Sequence, residues 1–320
     1  MKKLMKMAGV WLIVICVVIV GVYILNTVRS IGNINTNPDG TTVEVPMDLT
    51  KNINILVLGT DQRDREEAAR SDVIMVVNIN PKTKKASLLS IPRDTRVFIP
   101  GHGYDKINSA YNFLYIKDGG PELTIKVVEN LLGLDEGDIP YFAVVNFEGF
   151  IKVIDALGGV DISVEEPMHY HSMRGDVIID IEPGLQHFDG EKALEYARFR
   201  HDQYGDYTES EYDGLLHGRV IRQQKLVQAL IEQSKSWNTI WRLPTIAETV
   251  GDAVYTNITI SQITKIALIF KNISSDNFNI IPFTGGRDEF IEERWYIVPD
   301  YDKLKEIGEE YFSTNGQNGE

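Results

Sequence analysis

Apolar positions along this chain fall into short unbroken runs and longer stretches with helical spacing. The first run differs from the others, because residues 8–25 carry no charge at all. A bilayer core is spanned by roughly 20 apolar residues in a helix, so 8–25 reads as a membrane span. Lys2, Lys3 and Lys6 precede it and only Arg29 follows closely, which places the N-terminus in the cytoplasm. A cleavable signal peptide needs a shorter apolar core and a small-residue cleavage site, and the residues from Gly21 to Val28 offer none. The expectation is a retained signal anchor, with residues 1–7 as a cytoplasmic tip. Residues 26–50 are rich in Asn, Thr, Pro and Gly and read as an extracytoplasmic stalk.

Beyond the stalk the pattern changes. Residues 54–59 form a continuous apolar run of buried-strand type. Two further runs, 73–79 and 86–91, flank Asn80-Pro81-Lys82-Thr83, a turn signal that predicts an antiparallel hairpin. Pro121 opens and Gly133 closes a predicted helix over 121–132. Strands are expected at 141–146, 160–164, 278–281 and 295–298. Helices are expected at 147–157, 189–199, 218–235, 244–250, 261–270 and 300–312, and 285–288 reads as a loop. This alternation predicts an α/β fold, a mixed central sheet flanked by helices in one domain over 51–312. Residues 313–320 read as a polar tail.

Charge narrows the partners. The chain carries a net −14, and without Lys2, Lys3 and Lys6 the remainder carries −17. So acidic a body argues against nucleic acid as a partner. The only cysteine, Cys16, lies within the apolar run, so the exported part folds without a disulfide. It is long enough to bury a large core unaided. A cysteine-free exported domain fits a Gram-positive cell surface.

Candidate chemistry gathers at strand ends. Arg70-Ser71-Asp72 precedes one predicted strand, and Ser90-Ile91-Pro92-Arg93-Asp94 closes the next. Arginine offers a planar fork of donors matched to phosphate oxygens, and aspartate offers hard oxygens for a divalent cation. Leu58-Gly59-Thr60-Asp61 ends the first strand, at the edge where open α/β sheets bind ligands. Asp61 and Asp72 could share a magnesium ion or simply cap turns. Arg93 could meet a phosphate or pair with Asp94, and Lys106 follows a Gly-rich loop at 100–103. Arg198-Phe199-Arg200 ends a helix, where cations suit the dipole. Arg219 and Arg222 are spaced i, i+3 on one face of the first turns of the next helix. The dipole disfavours cations there, so they need an anion: a bound phosphate, or Glu209, Glu211 or Asp213. His169 and His171 form an H-x-H pair with no third zinc ligand evident. There is no G-x-S-x-G, H-E-x-x-H or P-loop.

Taken in order, these blocks resemble the LytR-CpsA-Psr (LCP) family of membrane-anchored cell-envelope proteins. The blocks are Asn54 to Asp61, Arg70-Ser-Asp72, Leu89 to Asp94, Lys106-Ile-Asn108 with Ala110-Tyr111, Val145 to Phe150, and Asp155 to Asp161. Gly190 to Leu194, Arg198-Phe-Arg200 and Arg219 to Gln224 complete them, so the likeness covers about residues 52–236.

The resemblance implies a phosphotransferase on the outer membrane face. Such an enzyme takes an anionic glycopolymer (wall teichoic acid, capsular or other secondary polysaccharide) from a polyprenyl-pyrophosphate carrier. It joins the polymer to peptidoglycan through a phosphodiester. By position, Asp61 and Asp72 hold Mg2+ or Mn2+. Arg70, Arg93, Arg198, Arg200, Arg219, Arg222 and Gln223 surround the pyrophosphate with Lys106 nearby, and the lipid enters an apolar tunnel between sheet and helices. Arg93, Arg70, Lys106 and Asp206 are the implied catalytic residues, and Asp94 is read as steadying the turn after Arg93. Asp206, in Gly205-Asp206, is the implied base. An acidic insertion over 207–217 separates it from Arg219, and Asp213 is the rival. The competing readings are a non-catalytic polyprenyl-phosphate-binding regulator and a pyrophosphatase acting on the carrier lipid.

Overall fold

The computed structural model describes residues 46–60, 70–171, 178–199, 208–209, 216–234, 254–274, 277–284 and 286–314. The expected span at 8–25, most of the stalk, the helix at 244–250, and Asp61, Arg200, Asp206 and Asp213 lie outside the described residues. Of Arg219 only the helix backbone is described. Among the described residues no helix is long and apolar enough to cross a membrane.

The elements run β1 (Ile53–Thr60), β2 (Ser71–Asn80), β3 (Lys85–Ser90), β4 (Arg96–Ile99) and β5 (Gly103–Lys106), then a 3₁₀ turn at Ile107–Tyr111. α1 (Pro121–Leu132), β6 (Tyr141–Asn146), α2 (Phe147–Leu157) and β7 (Val160–Val164) follow. Next come β8 (Met168–His171), β9 (Ile178–Ile181), β10 (Gly184–Phe188) and α3 (Gly190–Arg198). A short ladder of β11 (Thr208–Glu209) and β12 (Leu216–His217) precedes α4 (Arg219–Ser234). The chain continues through β13 (Val254–Thr256), α5 (Ile260–Phe270), β14 (Phe278–Ile281), β15 (Arg287–Ile291), β16 (Arg294–Val298) and α6 (Tyr301–Ile307).

Six strands make the central sheet in the order β13-β6-β1-β2-β3-β14. The predicted hairpin is there, with β2 antiparallel to both β1 and β3. β6 joins β1 in parallel, and β14 joins β3 in parallel. The sheet is therefore mixed, as expected. β1 shows how it is built. Leu56 and Leu58 pack on one face with Val127, Val128 and Leu131 of α1. Ile53 and Ile55 pack on the other, where Ile263, Ile266 and Ile269 of α5 cover them. Alternate residues of a strand face opposite sides, so one apolar run supplies two cores. A third core joins β7 to β10 with α3 and α4, around Ile162, Ile179, Phe188, Tyr196 and Leu226.

Three differences from expectation have local causes. The Gly-rich segment at 100–103 is the turn of the β4–β5 hairpin, and Arg287 and Asp288 of the expected loop belong to β15. β8, β9 and β10 are only four or five residues long, so period-two alternation does not stand out in them. The closing helix splits, because α6 gives way to a π turn at Gly308–Phe312. There Gly308 lies against the Leu132 carbonyl with no room for a Cβ.

One buried polar cluster ties several of these elements together. Buried Asn54 donates to the carbonyls of Asp138 (2.7 Å) and Phe312 (2.6 Å) and accepts from Asn78 (2.7 Å). One side chain thus joins β1, β2, the entry to β6 and the C-terminus. Asn54→Ala leaves two buried carbonyls and an amide without partners, each worth about 1–3 kcal/mol. Urea unfolding is expected to show a loss of at least about 2 kcal/mol; a change within error would refute the role.

Candidate functional site

The site starts from an irregularity between β1 and β2. Gly59 pairs with Val73 and Thr60 pairs with Ser71, so Asp72 is an extra residue with no partner in the ladder. A bulge of this kind re-aims a side chain and is common beside active sites. Gly59 permits the close approach, since a Cβ there would lie 2.9 Å from that of Val73. Arg70 is exposed immediately before β2.

The second segment is the turn Pro92 to Thr95. Both the amide and the hydroxyl of Thr95 donate to Pro92 O, at 3.0 and 2.6 Å. The Arg93 carbonyl accepts from Asn108 N (3.3 Å), that of Asp94 from Ile297 N (2.9 Å), and that of Thr95 from Ile107 N (2.8 Å). The third segment, the end of β5, is stitched to this turn by those bonds and carries Lys106.

Side chains from the three segments form a row of alternating charge. Arg93 Nη1 donates to Asp72 Oδ1, and Arg93 Nε lies 3.5 Å from Asp94 Oδ2. Asp94 Oδ1 accepts from Lys106 Nζ at 2.6 Å, and that ammonium lies 5.9 Å from the Tyr296 ring centroid. Asp72, Arg93, Asp94 and Lys106 expose 33, 25, 30 and 24% of their side chains, so the row is open to a ligand yet held in place. Asp94 therefore does more than steady a turn: its two oxygens span both cations, while the Thr95 hydroxyl closes the turn itself. The sequence offered the Arg93–Asp94 pair but not the link to Lys106, because only the β4–β5 hairpin brings Lys106 back beside residue 94. Near each segment in the chain lies a buried polar atom without a hydrogen-bond partner: Ser71 Oγ, Ser90 Oγ at the end of β3, and Asn108 Oδ1 in the 3₁₀ turn. Such atoms are rare inside proteins and mark places where a ligand or ion completes the bonding.

A second group of expected residues stands on α3 and α4. Arg198, exposed, holds its guanidinium 4.8 Å from the Phe147 ring centroid. Arg222 is buried, and its Nη2 donates to Phe199 O at 2.6 Å. Gln223 Nε2 donates to Ala197 O at 3.2 Å. These bonds satisfy carbonyls left over at the end of α3 and tie the start of α4 to it. Gln224, which the sequence did not single out, is buried with neither amide atom hydrogen-bonded. His169 faces Asp180 (2.7 Å) and lies near Glu182 on the β8–β9 hairpin, all exposed. This is a cross-strand hydrogen-bonded pair, and His171 is not part of it.

A search of family profiles matches residues 21–313 to the LytR_cpsA_psr family. The chain belongs to the LytR-CpsA-Psr family. Among its relatives is the polyisoprenyl-teichoic acid–peptidoglycan teichoic acid transferase TagU of Oceanobacillus iheyensis, 33% identical over 264 residues, or 81% of this chain and 74% of TagU. Regulatory protein MsrR of Staphylococcus aureus is 39% identical over 220 residues, or 68% of this chain and 60% of MsrR. Among solved structures, TagT (YwtF) of Bacillus subtilis with bound octaprenyl pyrophosphate superposes with a TM-score of 0.59 at 29% identity, covering 83% of this chain and 91% of TagT.

In this LCP chain one carboxylate supports the site from below. Burial alone pushes Asp105 upward, but hydrogen bonds from Lys106 N–H, Ser109 and His102, and the charge of Arg294, outweigh it and hold the carboxyl below the usual range. A depressed folded value stabilises the fold above the unfolded pKa of about 4, and that contribution disappears as pH falls through the folded value. Asp105→Asn is expected to lower stability at neutral pH and to flatten the acid limb below about pH 4 in urea titrations. Parallel curves for the two proteins would contradict this.

Proposed function

We propose that this chain transfers an anionic glycopolymer from a polyprenyl-pyrophosphate carrier to peptidoglycan, leaving a phosphodiester link. The observation that carries the reading is Arg93 held between Asp72 and Asp94, with Lys106 beside them. The name of TagU supports a transferase and favours a teichoic acid as the polymer, and the lipid bound to TagT supports the carrier. The uncharged run at 8–25 supports a single-pass anchor, cytoplasmic N-terminus and a catalytic domain, about 51–312, outside the membrane.

In this reading a hydroxyl of the acceptor attacks the phosphorus that bears the polymer. The new P–O bond forms as the bond to the polyprenyl phosphate breaks, and the acceptor proton passes to a base. Asp206 is the proposed base, with Asp213 as the rival. Phosphoryl transfer asks the protein mainly for positioning and charge neutralisation. Arg93, hydrogen-bonded to Asp72 and 3.5 Å from Asp94, has its charge positioned before a phosphate arrives. Lys106, steadied by Asp94, adds a compact positive charge. Arg70, Arg198, Arg200, Arg219, Arg222 and Gln223 are proposed to complete the surround, and Arg222 and Gln223 also dock the start of α4 on the end of α3. Asp72, with Asp61, would hold Mg2+, or Mn2+ in its place. The carboxylate suits a hard cation, and the unpartnered Ser71 hydroxyl stands next to it in the chain. When bound, the metal neutralises charge on the pyrophosphate.

The test is transfer from a synthetic polyprenyl-pyrophosphate glycan to peptidoglycan oligomers. Arg93→Ala and Asp72→Ala are expected to lose transfer by a factor on the order of 10³ while the melting transition is retained. Wild-type turnover in either variant would sink the site. Asp94→Ala is expected to lower kcat on the order of tenfold or more, with Asp94→Glu restoring part of it; equal kcat in all three proteins would limit Asp94 to the turn. MsrR is named a regulatory protein, and that reading predicts lipid binding with no turnover. Free phosphate without a polymer adduct would instead make the chain a pyrophosphatase.

A further inference from the structure

We propose that the outer face of the β4–β5 hairpin binds the sugar strand of the acceptor. This rests on the transfer reading above and adds to it a binding surface for the second substrate. Phe98 and Tyr104 are 55 and 57% exposed. They are register partners across the hairpin, with ring centroids 5.5 Å apart and planes at 73°. Arg96 stacks its guanidinium 4.0 Å from the Tyr104 ring centroid and is itself the register partner of Lys106. Alternate residues of paired strands share a face, so Arg96, Phe98, Tyr104 and Lys106 stand together. The other face supplies the packing, because Val97, Ile99 and Asp105 are buried. The outer aromatics have no such duty.

Their position gives them a use. Tyr104 is two residues from Lys106, roughly 7 Å along the strand and comparable with one sugar unit. A strand whose terminal hydroxyl reacts beside Lys106 would lay its next ring over the aromatic pair. The apolar C–H face of a pyranose packs on such rings, and the Arg96 fork matches a carboxylate carried by the strand. The hairpin is held rigidly for this, since the Tyr301 hydroxyl donates to Arg96 O at 2.8 Å and Arg294 lies 3.4 Å from Asp105. Exposed apolar patches beside a reaction site mark binding surfaces. Charge selects between the two glycans in the reaction. A polymer of phosphates asks for a row of cations, whereas beyond Lys106, which belongs to the reaction site, this face offers one arginine beside two neutral rings. It fits a strand of neutral sugars with sparse carboxylates, which is the peptidoglycan acceptor.

The experiment uses the full chain in detergent, saturating synthetic donor and a series of peptidoglycan oligomers. A Phe98→Ser, Tyr104→Ser double variant is expected to raise the acceptor KM on the order of tenfold. Donor KM, kcat at saturating acceptor and the melting transition are expected to stay unchanged, and Phe98→Tyr to bind as wild type does. Cosedimentation with purified sacculi is expected to fall in the same proportion, a readout that needs no turnover. Unchanged acceptor KM and unchanged sacculus binding would overturn the proposal. A rise confined to donor KM would assign the face to the donor glycan or the membrane and also overturn it. Wild-type protein that binds sacculi through these residues but never transfers would leave the surface standing and refute the transfer reading instead.

Discussion

Arg93 is fixed by two carboxylates, and the candidate site depends on that constraint. A guanidinium on a free side chain spends rotamer entropy whenever it meets a ligand. Here Asp72 accepts a hydrogen bond from Arg93 and Asp94 lies 3.5 Å from its Nε before anything binds. The pairs are open to solvent, so their contribution to stability is small; their value is orientation. Each partner is placed by a different device. A bulge aims Asp72, a hydroxyl-closed turn aims Asp94, and a hairpin returns Lys106 to complete the row.

The wider fold keeps these devices in register. β1 is covered on both faces, so the edge that carries the bulge cannot shift without disturbing two cores. Asn54 ties the far end of the same strand to the chain terminus. α4 is docked through Arg222 and Gln223 onto the end of α3, which places a helix start rich in arginine next to Arg198. At Arg222 the dipole penalty is offset in part by a carbonyl, because Phe199 O accepts from its guanidinium.

Much of this was legible in the sequence. The helix at 121–132 and the strands at 141–146 and 278–281 follow from Pro121, Gly133 and continuous apolar runs, which are local signals. The mixed sheet followed from the turn at 80–83. What stayed hidden is non-local. Nothing in the pattern marks Asp72 as the extra residue of a bulge, since that depends on Gly59 meeting Val73 across the sheet. The link from Asp94 to Lys106 needs a hairpin whose strands are four residues each, too short for period-two alternation to stand out. The aromatic face of that hairpin was hidden for the same reason.

A double-mutant cycle on transfer rate, with Arg93→Ala and Asp94→Ala singly and together, tests the central constraint most directly. If Asp94 works by holding Arg93, its removal has little further effect once the arginine is gone, and the two losses are strongly non-additive. Losses that simply add would show that the two residues act independently, and would contradict an arginine fork oriented by its carboxylates.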